Sequence, residues 1–514
     1  MKTIVSFRFM KVASFLFLMT FLMSVNNTYA SNSPLCFTAK SGKVTVSFSI
    51  VNATHTIQYS TDSTDWSTYI SGTEVTLDIN QSVYFRAETN QTTATSFSET
   101  KSWGEHSRFR FTRLDRHSYV EGSGNIMSLY GPDCPDLLLQ QRAFQNMFES
   151  CTLLTKAPEL PATKLGKNCY GSMFQWCTSL IEAPELPATV MAEGCYYNMF
   201  YGCNALTTAP ELPAMTLAED CYGQMFAVCQ SLKEAPALPA TTLEDACYYN
   251  MFANCYSLVK APELPATTMR RECYVNMFRN CQLLEKAPEL PATTLAFMCY
   301  LNMFYGCTSL EKAPELPATT LAVRCYENMF GACYSLTSAP ELPATVLKAG
   351  CYTYMFMECI SLTALPTLPV KTLAQDCCHG MFAYCSSLRI NSEPPGIPWQ
   401  IPGDATPATS WNNGMFMGTS GTQTFPPEIG VTYYVVDEKT SVEDIAVNDI
   451  VAYSNEGRIF VNGVAGETVM VYDANGHLVA ETCGTNDTEE FLVKVSGVYF
   501  VRVGGKDTKK VIVK

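Results

Sequence analysis

The middle of this chain repeats itself every 26 residues, and no other feature limits its fold as strongly. The unit reads C-Y-x-x-M-F-x-x-C-x-S-L-x-x-A-P-E-L-P-A-T-x-L-x-x-x. Ten copies run from Ala143 to about Gly403, and a partial eleventh copy runs from Trp411 to Thr419. The first copy has Ala143 in place of its leading cysteine, and the eleventh lacks both cysteines. Units of this size bury their apolar faces by stacking, and atypical end copies cap the stack.

The repeat accounts for most of the cysteines. The chain has 23, of which 19 lie on two ladders with a 26-residue step. The first ladder holds nine, from Cys169 to Cys377, and the second holds ten, from Cys151 to Cys385. The two cysteines of one unit are eight residues apart, about 12 Å along a helix axis, whereas a disulfide needs Cα atoms within about 7 Å. The spacing therefore favours reduced thiols packed as small apolar groups. Pairing between neighbouring repeats stays open, as does a bridge between Cys36 and Cys134, which lie outside the ladders.

The spacing inside one unit predicts a helix followed by a short extended segment. Leu217, Cys221, Met225 and Cys229 recur every four residues, which is typical of one buried helix face. The Ala-Pro-Glu-Leu-Pro segment cannot be helical, because two prolines bracket it. We therefore expect an α/β repeat solenoid, leucine-rich-repeat-like and right-handed, flanked by small β domains.

The flanking sequences suggest three further regions. Residues 1–30 have a basic start, an apolar run and small residues before Ser31, which predicts a cleaved secretory signal peptide and an exported protein. An N-terminal membrane anchor is the alternative. Residues 31–135 alternate apolar and polar side chains and predict a β-rich N-terminal domain, Ig-like or a cap. The repeats with their C-terminal cap span 136–430, and 431–514 predicts a β-sandwich. No later segment is apolar enough to span a membrane.

Charge and composition exclude some functions and leave few reactive groups. The formal net charge is −14, which argues against nucleic acid as a partner. No C-x-x-C occurs, and the adjacent Cys377, Cys378 and His379 form the only dense cluster of metal-ligand types. Only five histidines exist, and none recurs with the repeat. We expect no catalytic residues, no metal and no cofactor, and hence a non-enzymatic protein.

The central string from Met199-Phe200 to Cys221-Tyr222 resembles the leucine-rich repeats of BspA-like bacterial surface proteins. The resemblance implies a right-handed solenoid on a surface protein that binds host proteins or neighbouring cells. The C-terminal Val471-Tyr472-Asp473, Gly497-Val498-Tyr499 and Lys509-Lys510-Val511 resemble a type IX secretion sorting domain of Bacteroidetes. This resemblance implies secretion and attachment at the outer membrane or cell surface of a Gram-negative-type bacterium.

We expect binding or adhesion through the repeats, to an extracellular protein or glycan of the host or of neighbouring bacteria. Two sets of residues are candidates for the binding surface. The first is a row of carboxylates at one repeat position: Glu159, Glu185, Glu211, Glu263, Glu289, Glu315 and Glu341. The second is a group of aromatic residues at positions where the repeats differ: Trp176, Tyr201, Tyr256, Tyr305 and Tyr334. The carboxylate row can equally be a solvated edge, and the aromatic residues can equally reflect packing variation. Alternative functions are a structural, self-associating surface protein and an enzyme with a site in the N-terminal domain.

Overall fold

A computed structural model gives the fold of the chain in two compact units, residues 1–437 and 438–514. The structure describes residues 32–51, 55–90, 106–133, 140–394, 396–422, 426–436, 451–455, 458–462, 468–474, 477–483, 488–493, 495, 497–503 and 507–513. The predicted signal peptide and Cys134 lie outside these residues.

The first unit begins with two antiparallel sheets. Their strands are β1 (Leu35–Lys40), β2 (Val44–Ser49), β3 (Ile57–Ser60), β4 (Ser67–Thr68), β5 (Glu74–Leu77), β6 (Ser82–Ala87), β7 (Arg108–Arg113) and β8 (Tyr119–Ser123). One sheet has the order β4-β3-β6-β1-β8 and the other β5-β2-β7. Alternate side chains of these strands, such as Val44, Val46 and Phe48 in β2, are buried, because period-two alternation places them on one sheet face.

The first sheet continues directly into the repeats. Strand β9 (Leu154–Lys156), in the first repeat, pairs in parallel with β8. The backbone N–H of Phe109 in β7 also donates to the carbonyl of Met147, at 2.9 Å. A short 3₁₀ helix, Ile126–Leu129, precedes the repeats and is fully buried. The N-terminal sheets therefore close one end of the repeat stack, and both parts share a single apolar core.

Each repeat contains a ten-residue turn segment in which neighbouring backbone N–H groups point in different directions. In residues 167–176, Met173 N–H donates to the carbonyl of Tyr170 inside the segment, at 3.2 Å. The next N–H, of Phe174, donates to Met199 of the following repeat, at 2.9 Å. Alternate N–H groups thus close local turns, while the others join each turn segment to the next one.

The predicted α/β repeat solenoid is wrong. No α-helix occurs among the described residues, and the segment that holds Cys221 and Met225 is a series of turns. The four-residue recurrence has another origin. Along a turn segment two residues point inward and the next two outward, so that Cys and Tyr, then Met and Phe, are buried. A helix face and this pattern of turns share the same sequence period.

The proline-containing segments do not form a parallel sheet either. Neighbouring repeats meet there through isolated parallel bridges, such as Lys260 with Lys286 and Thr268 with Thr294. The residues between these bridges include two prolines per repeat, which have no N–H to donate to a ladder. The first unit therefore consists of small sheets at its ends and, between them, turns and extended segments.

Two columns of aromatic rings run through the core of the stack. Phe174 and Phe200 stack with ring centroids 5.6 Å apart and planes within 3°. The same contact recurs from repeat to repeat up to Phe382, and it begins at Phe109 of the N-terminal sheets, 5.4 Å from Phe148. A parallel column of tyrosines extends from Tyr170 to Tyr352. Such ring pairs contribute about 0.5–1.5 kcal/mol each beyond their burial.

From the second repeat on, the second cysteine of each repeat donates its S–H to a buried carbonyl of the preceding repeat. The Cys255 Sγ lies 3.1 Å from the carbonyl oxygen of Phe226, and that oxygen also accepts the Cys229 N–H, at 3.1 Å. The nine cysteines from Cys177 to Cys385 on this ladder make the same contact, at 3.0 to 3.2 Å. The 22 described cysteines are all free, as the spacing predicted for the ladders. Each of these thiols therefore fills a small apolar space and satisfies a second lone pair on a buried oxygen.

A small sheet lies at the C-terminal end of the repeats, and the second unit has its own core. Strands β10 (Arg389–Asn391), β11 (Ile397–Gln400) and β12 (Thr432–Val436) form a sheet with β12 in the centre. The second unit contains β13 (Val451–Asn455), β14 (Arg458–Asn462), β15 (Thr468–Asp473), β16 (Leu478–Cys483), β17 (Thr488–Leu492), β18 (Gly497–Val503) and β19 (Asp507–Val513). These strands form two antiparallel sheets, β13-β14-β17 and β16-β15-β18-β19. In the described part of the chain, we find no helix with the length and hydrophobicity needed to cross a bilayer.

Replacing Cys255 by alanine should lower the free energy of unfolding by about 1–2 kcal/mol, because the substitution leaves a small cavity and removes one donor from the Phe226 carbonyl. Thermal or denaturant unfolding measures the change. Cys483→Ala is the matched control, because Cys483 is exposed and its loss should change stability by less than about 0.5 kcal/mol. Equal effects of the two substitutions would contradict the role assigned to the ladder thiols.

The tyrosine column predicts an unusual response to loss of a hydroxyl. The Tyr222 hydroxyl is buried and has no hydrogen-bond partner among the described residues, whereas its ring stacks on both neighbours. Tyr222→Phe should therefore leave stability unchanged or raise it by about 1 kcal/mol, while Tyr222→Ala should cost about 3–5 kcal/mol. A destabilising Tyr222→Phe would show that the hydroxyl makes a stabilising contact.

Candidate binding face of the repeats

The outward residues of the turn segments form a partly exposed surface whose composition differs from repeat to repeat. We call it the variable face and define it by the outward residues of each turn segment, in the first complete repeat Lys167-Asn168, Gly171-Ser172 and Gln175-Trp176. The inward residues hardly change between repeats, because the core fixes their size and shape. At a given outward position, different repeats carry acidic, basic, aromatic or small residues. The constant core thus supports a surface whose composition is free to vary.

The backbone of this face uses left-handed residues at regular places. Asn198, Asn250, Asn276, Asn302 and Asn328 share one position, and their φ angles lie between 52° and 56°. Asparagine adopts this conformation more readily than other non-glycine residues, which explains why it recurs there. Some of the asparagine side chains also bond along the stack, as Asn328 Nδ2 does to Asn302 Oδ1, at 2.9 Å. The asparagine row therefore has a structural role.

Bulky side chains on the variable face lean over a glycine of the next repeat. A Cβ at Gly202 would lie 2.4 Å from the Trp176 ring, and a Cβ at Gly380 would lie 2.4 Å from the Tyr354 ring. The same relation joins Tyr197 to Gly223 and Tyr305 to Gly331. In these four pairs the glycine follows its aromatic residue by 26 positions. The lack of a Cβ makes room for the ring, so that the aromatic residues lie along the stack.

The variable face has a groove of about 480 Å³ near its C-terminal end. Its lining includes Arg324 and Glu327 from one repeat, Ala349 and Gly350 from the next, and Asp376 from the one after. The Arg324 guanidinium bonds the Glu327 carboxylate with both ends, one contact being Nη2 to Oε1 at 2.8 Å. This carboxylate raises the pKa of Arg324. The guanidinium and its partner are therefore held as a neutral pair.

The predicted carboxylate row lies on the extended segments and belongs to a different surface. All seven side chains are exposed: Glu159, Glu185, Glu211, Glu263, Glu289, Glu315 and Glu341. Glu341 accepts a hydrogen bond from the hydroxyl of Thr367, which takes the same position in the following repeat. No residue of the row lines the groove on the variable face.

The predicted aromatic residues fall into two groups. Trp176, Tyr201 and Tyr305 lie on the variable face: Trp176 and Tyr201 are in edge contact, with ring centroids 5.2 Å apart, and the Arg279 guanidinium lies 5.0 Å from the centroid of Tyr305. Tyr256 and Tyr334 lie just after their turn segments and are about two-fifths exposed.

Sequence reasoning missed Tyr354 and the groove. Two signals could have found them: the small pair Ala349-Gly350 between bulkier neighbours, and the glycine 26 residues after Tyr354.

The dense cysteine and histidine cluster does not come together as a metal site. Cys377 and Cys378 are buried, with their sulfur atoms 3.9 Å apart, whereas His379 turns outward and its Nε2 lies 2.8 Å from the Tyr354 hydroxyl. Within the described residues, no group of three or more metal-ligating side chains is found.

Burial raises the pKa of Cys255, Cys325 and Cys385 to about 12, so these thiols stay protonated at neutral pH.

Comparison with known proteins adds one match, in the second unit. Residues 439–513 match a family model described as a domain of unknown function (DUF6383). No curated protein matches the chain. The match covers the region that resembles a sorting domain, and its description assigns no activity to it.

The buried thiols make stability depend on alkaline pH. Between pH 9 and 12, a thiol with a folded pKa of about 12 and an unfolded pKa of 9.0 keeps its proton in the folded state and loses it in the unfolded state. Stability is therefore fully present below pH 9 and falls as the pH rises towards 12, by about 1.4 kcal/mol per pH unit for each such thiol. Unfolding measured between pH 8 and 11 should show this decline.

Cys255→Ser should reduce that slope by about 1.4 kcal/mol per pH unit, which corresponds to one proton. Cys483→Ser is the control substitution at an exposed cysteine. A slope that is identical in Cys255→Ser and in the unsubstituted chain would show that Cys255 ionises equally in both states.

Proposed function

We propose that this chain is a non-enzymatic binding protein whose repeat stack recognises a macromolecule across several neighbouring repeats. The observation that carries the proposal is the division of each turn segment into constant inward residues and varied outward ones. A scaffold that only spans distance needs no varied aromatic and charged residues on one solvent-accessible face.

The aromatic and charged groups of the variable face suit recognition. Tyrosine, tryptophan and arginine supply most of the energy of protein interfaces, because they bury much area and still make polar contacts. Here Trp176 and Tyr201 form one such pair, and Arg279 and Tyr305 form another. The hydrogen bonds between turn segments hold the backbone under both pairs. Little conformational entropy is therefore lost when a partner binds.

We further propose that the protein acts outside the cell, attached to the outer membrane or cell surface. The signal-peptide pattern of residues 1–30 and the resemblance of the C-terminal region to a type IX secretion sorting domain support this location. In this proposal the second unit serves export and attachment, and the repeats carry the binding function. The ligand is then an extracellular protein or glycan of a host or of a neighbouring bacterium.

Binding of the full chain to immobilised extracellular matrix proteins, mucins and bacterial glycans tests the proposal. At least one ligand should bind. Three variants each remove side chains from a different part of the variable face: Trp176→Ala with Tyr201→Ala, Arg279→Ala with Tyr305→Ala, and Tyr354→Ala. At least one of them should weaken binding tenfold or more, because loss of an aromatic hot spot costs about 2 kcal/mol or more.

Thr267→Ala is the control, an exposed substitution on the extended segments with no expected effect. Absence of binding to every ligand would refute the proposal. So would a ligand whose affinity all three variants leave unchanged. Concentration-dependent assembly of the chain in the absence of any bound ligand would favour a self-associating structural protein instead.

A further inference from the structure

The groove on the variable face exists because one repeat carries small residues where its neighbours carry large ones. Ala349 and Gly350 lie between Val323-Arg324 of the preceding repeat and Gln375-Asp376 of the following one. The backbone of the middle repeat thus forms part of the floor, and the longer side chains form two walls. The volume of about 480 Å³ falls within the ~300–1,000 Å³ of small-molecule sites.

Both walls carry planar polar groups. On one wall, the two-point contact between Arg324 and Glu327 cancels a positive and a negative charge. On the other, the Gln375 amide Nε2 donates to the Asp376 carboxylate, at 3.2 Å. Guanidinium, carboxylate and carboxamide groups each present two adjacent donors or acceptors in one plane. That geometry matches neighbouring hydroxyl groups on a ring.

An aromatic ring completes the second wall. The Tyr354 ring occupies the space that a Cβ at Gly380 would take, and its hydroxyl lies 2.8 Å from His379 Nε2. The two rings meet edge to face, with centroids 5.1 Å apart and planes at 90°. Gly380 and His379 therefore fix the ring at the groove, where it is only partly buried.

The balance of charges narrows the class of ligand. An anion would meet the Glu327 and Asp376 carboxylates, and the one cationic group, Arg324, is already paired. Because Arg324 and Glu327 cancel, the Asp376 carboxylate is the charge that remains, and it accepts hydrogen bonds that hydroxyl groups donate. A neutral ligand rich in hydroxyl groups, with an apolar C–H face for the Tyr354 ring, meets no such penalty.

We propose that this groove binds a neutral saccharide unit of an extracellular glycan. The inference rests on the proposed function and gives it a ligand class and a location. One sugar ring stacks on Tyr354, and its hydroxyl groups bond the planar side chains of Gln375, Asp376 and the Arg324–Glu327 pair. No covalent step is involved.

The test uses the full chain on a printed array of neutral and acidic glycans, followed by calorimetric titration of the strongest neutral oligosaccharide. Tyr354→Ala should weaken binding at least tenfold, whereas Tyr354→Phe should retain most of the affinity because the ring remains. Ala349→Gln, which copies the larger Gln375 at the equivalent position, should fill the groove and weaken binding by a similar factor. Thr293→Gln is the control for an added side chain on an exposed surface outside the groove.

Each variant is compared by its unfolding temperature, so that a loss of binding in a folded protein is attributed to the groove. Absence of binding to every neutral glycan overturns the saccharide inference, as does binding that Tyr354→Ala and Ala349→Gln leave unchanged. If a protein ligand binds and only the Trp176 and Tyr201 variant weakens it, the proposed function stands and this inference fails. If nothing binds at all, both fail.

Discussion

The hydrogen bonds between consecutive turn segments are the interaction on which the rest of the first unit depends. Alternate N–H groups of a turn segment donate to a neighbouring repeat, as those of Ser172 and Phe174 do to the next one, at 2.7 and 2.9 Å. These bonds stack identical side chains over one another, which produces the columns of phenylalanine and tyrosine rings. They also leave the intervening residues to close local turns. An isolated repeat could satisfy only about half of the N–H donors of its turn segment, so the repeats are stable together and not singly.

The cysteines follow from the same constraint. In the Cys-to-Phe contact, a carbonyl already bonded within its own turn receives a second donor from the neighbouring repeat, and the side chain that supplies it must be small and mostly apolar. Cysteine meets both requirements, and burial keeps its pKa high. The large number of thiols therefore reflects the number of stacked units. Their chemistry is the reason that stability should depend on alkaline pH, and it gives no support to a nucleophilic role.

Regularity inside and variation outside explain how such a chain can acquire a binding site. A change at Ala349 or Gln375 alters the surface without touching the core, because those residues point away from it. Pairs such as Tyr354 and Gly380 show that outward residues are still coupled along the stack, since a large ring needs a small residue in the next repeat. The groove arises where two such choices meet: small residues in one repeat and planar polar residues on both sides.

The amino-acid sequence by itself determined the repeat length, the inward residues and the β-strands of the flanking regions, and it favoured reduced ladder cysteines. It could not determine the backbone of the repeat, because a buried helix face and a series of turns both place an apolar residue every four positions. Only the hydrogen bonds between repeats separate these two structures, and they join residues 25 positions apart. The position and lining of the groove also depend on the stacking of the repeats. Arg324, Tyr354 and Asp376 belong to three different repeats, and stacking alone brings them to one surface.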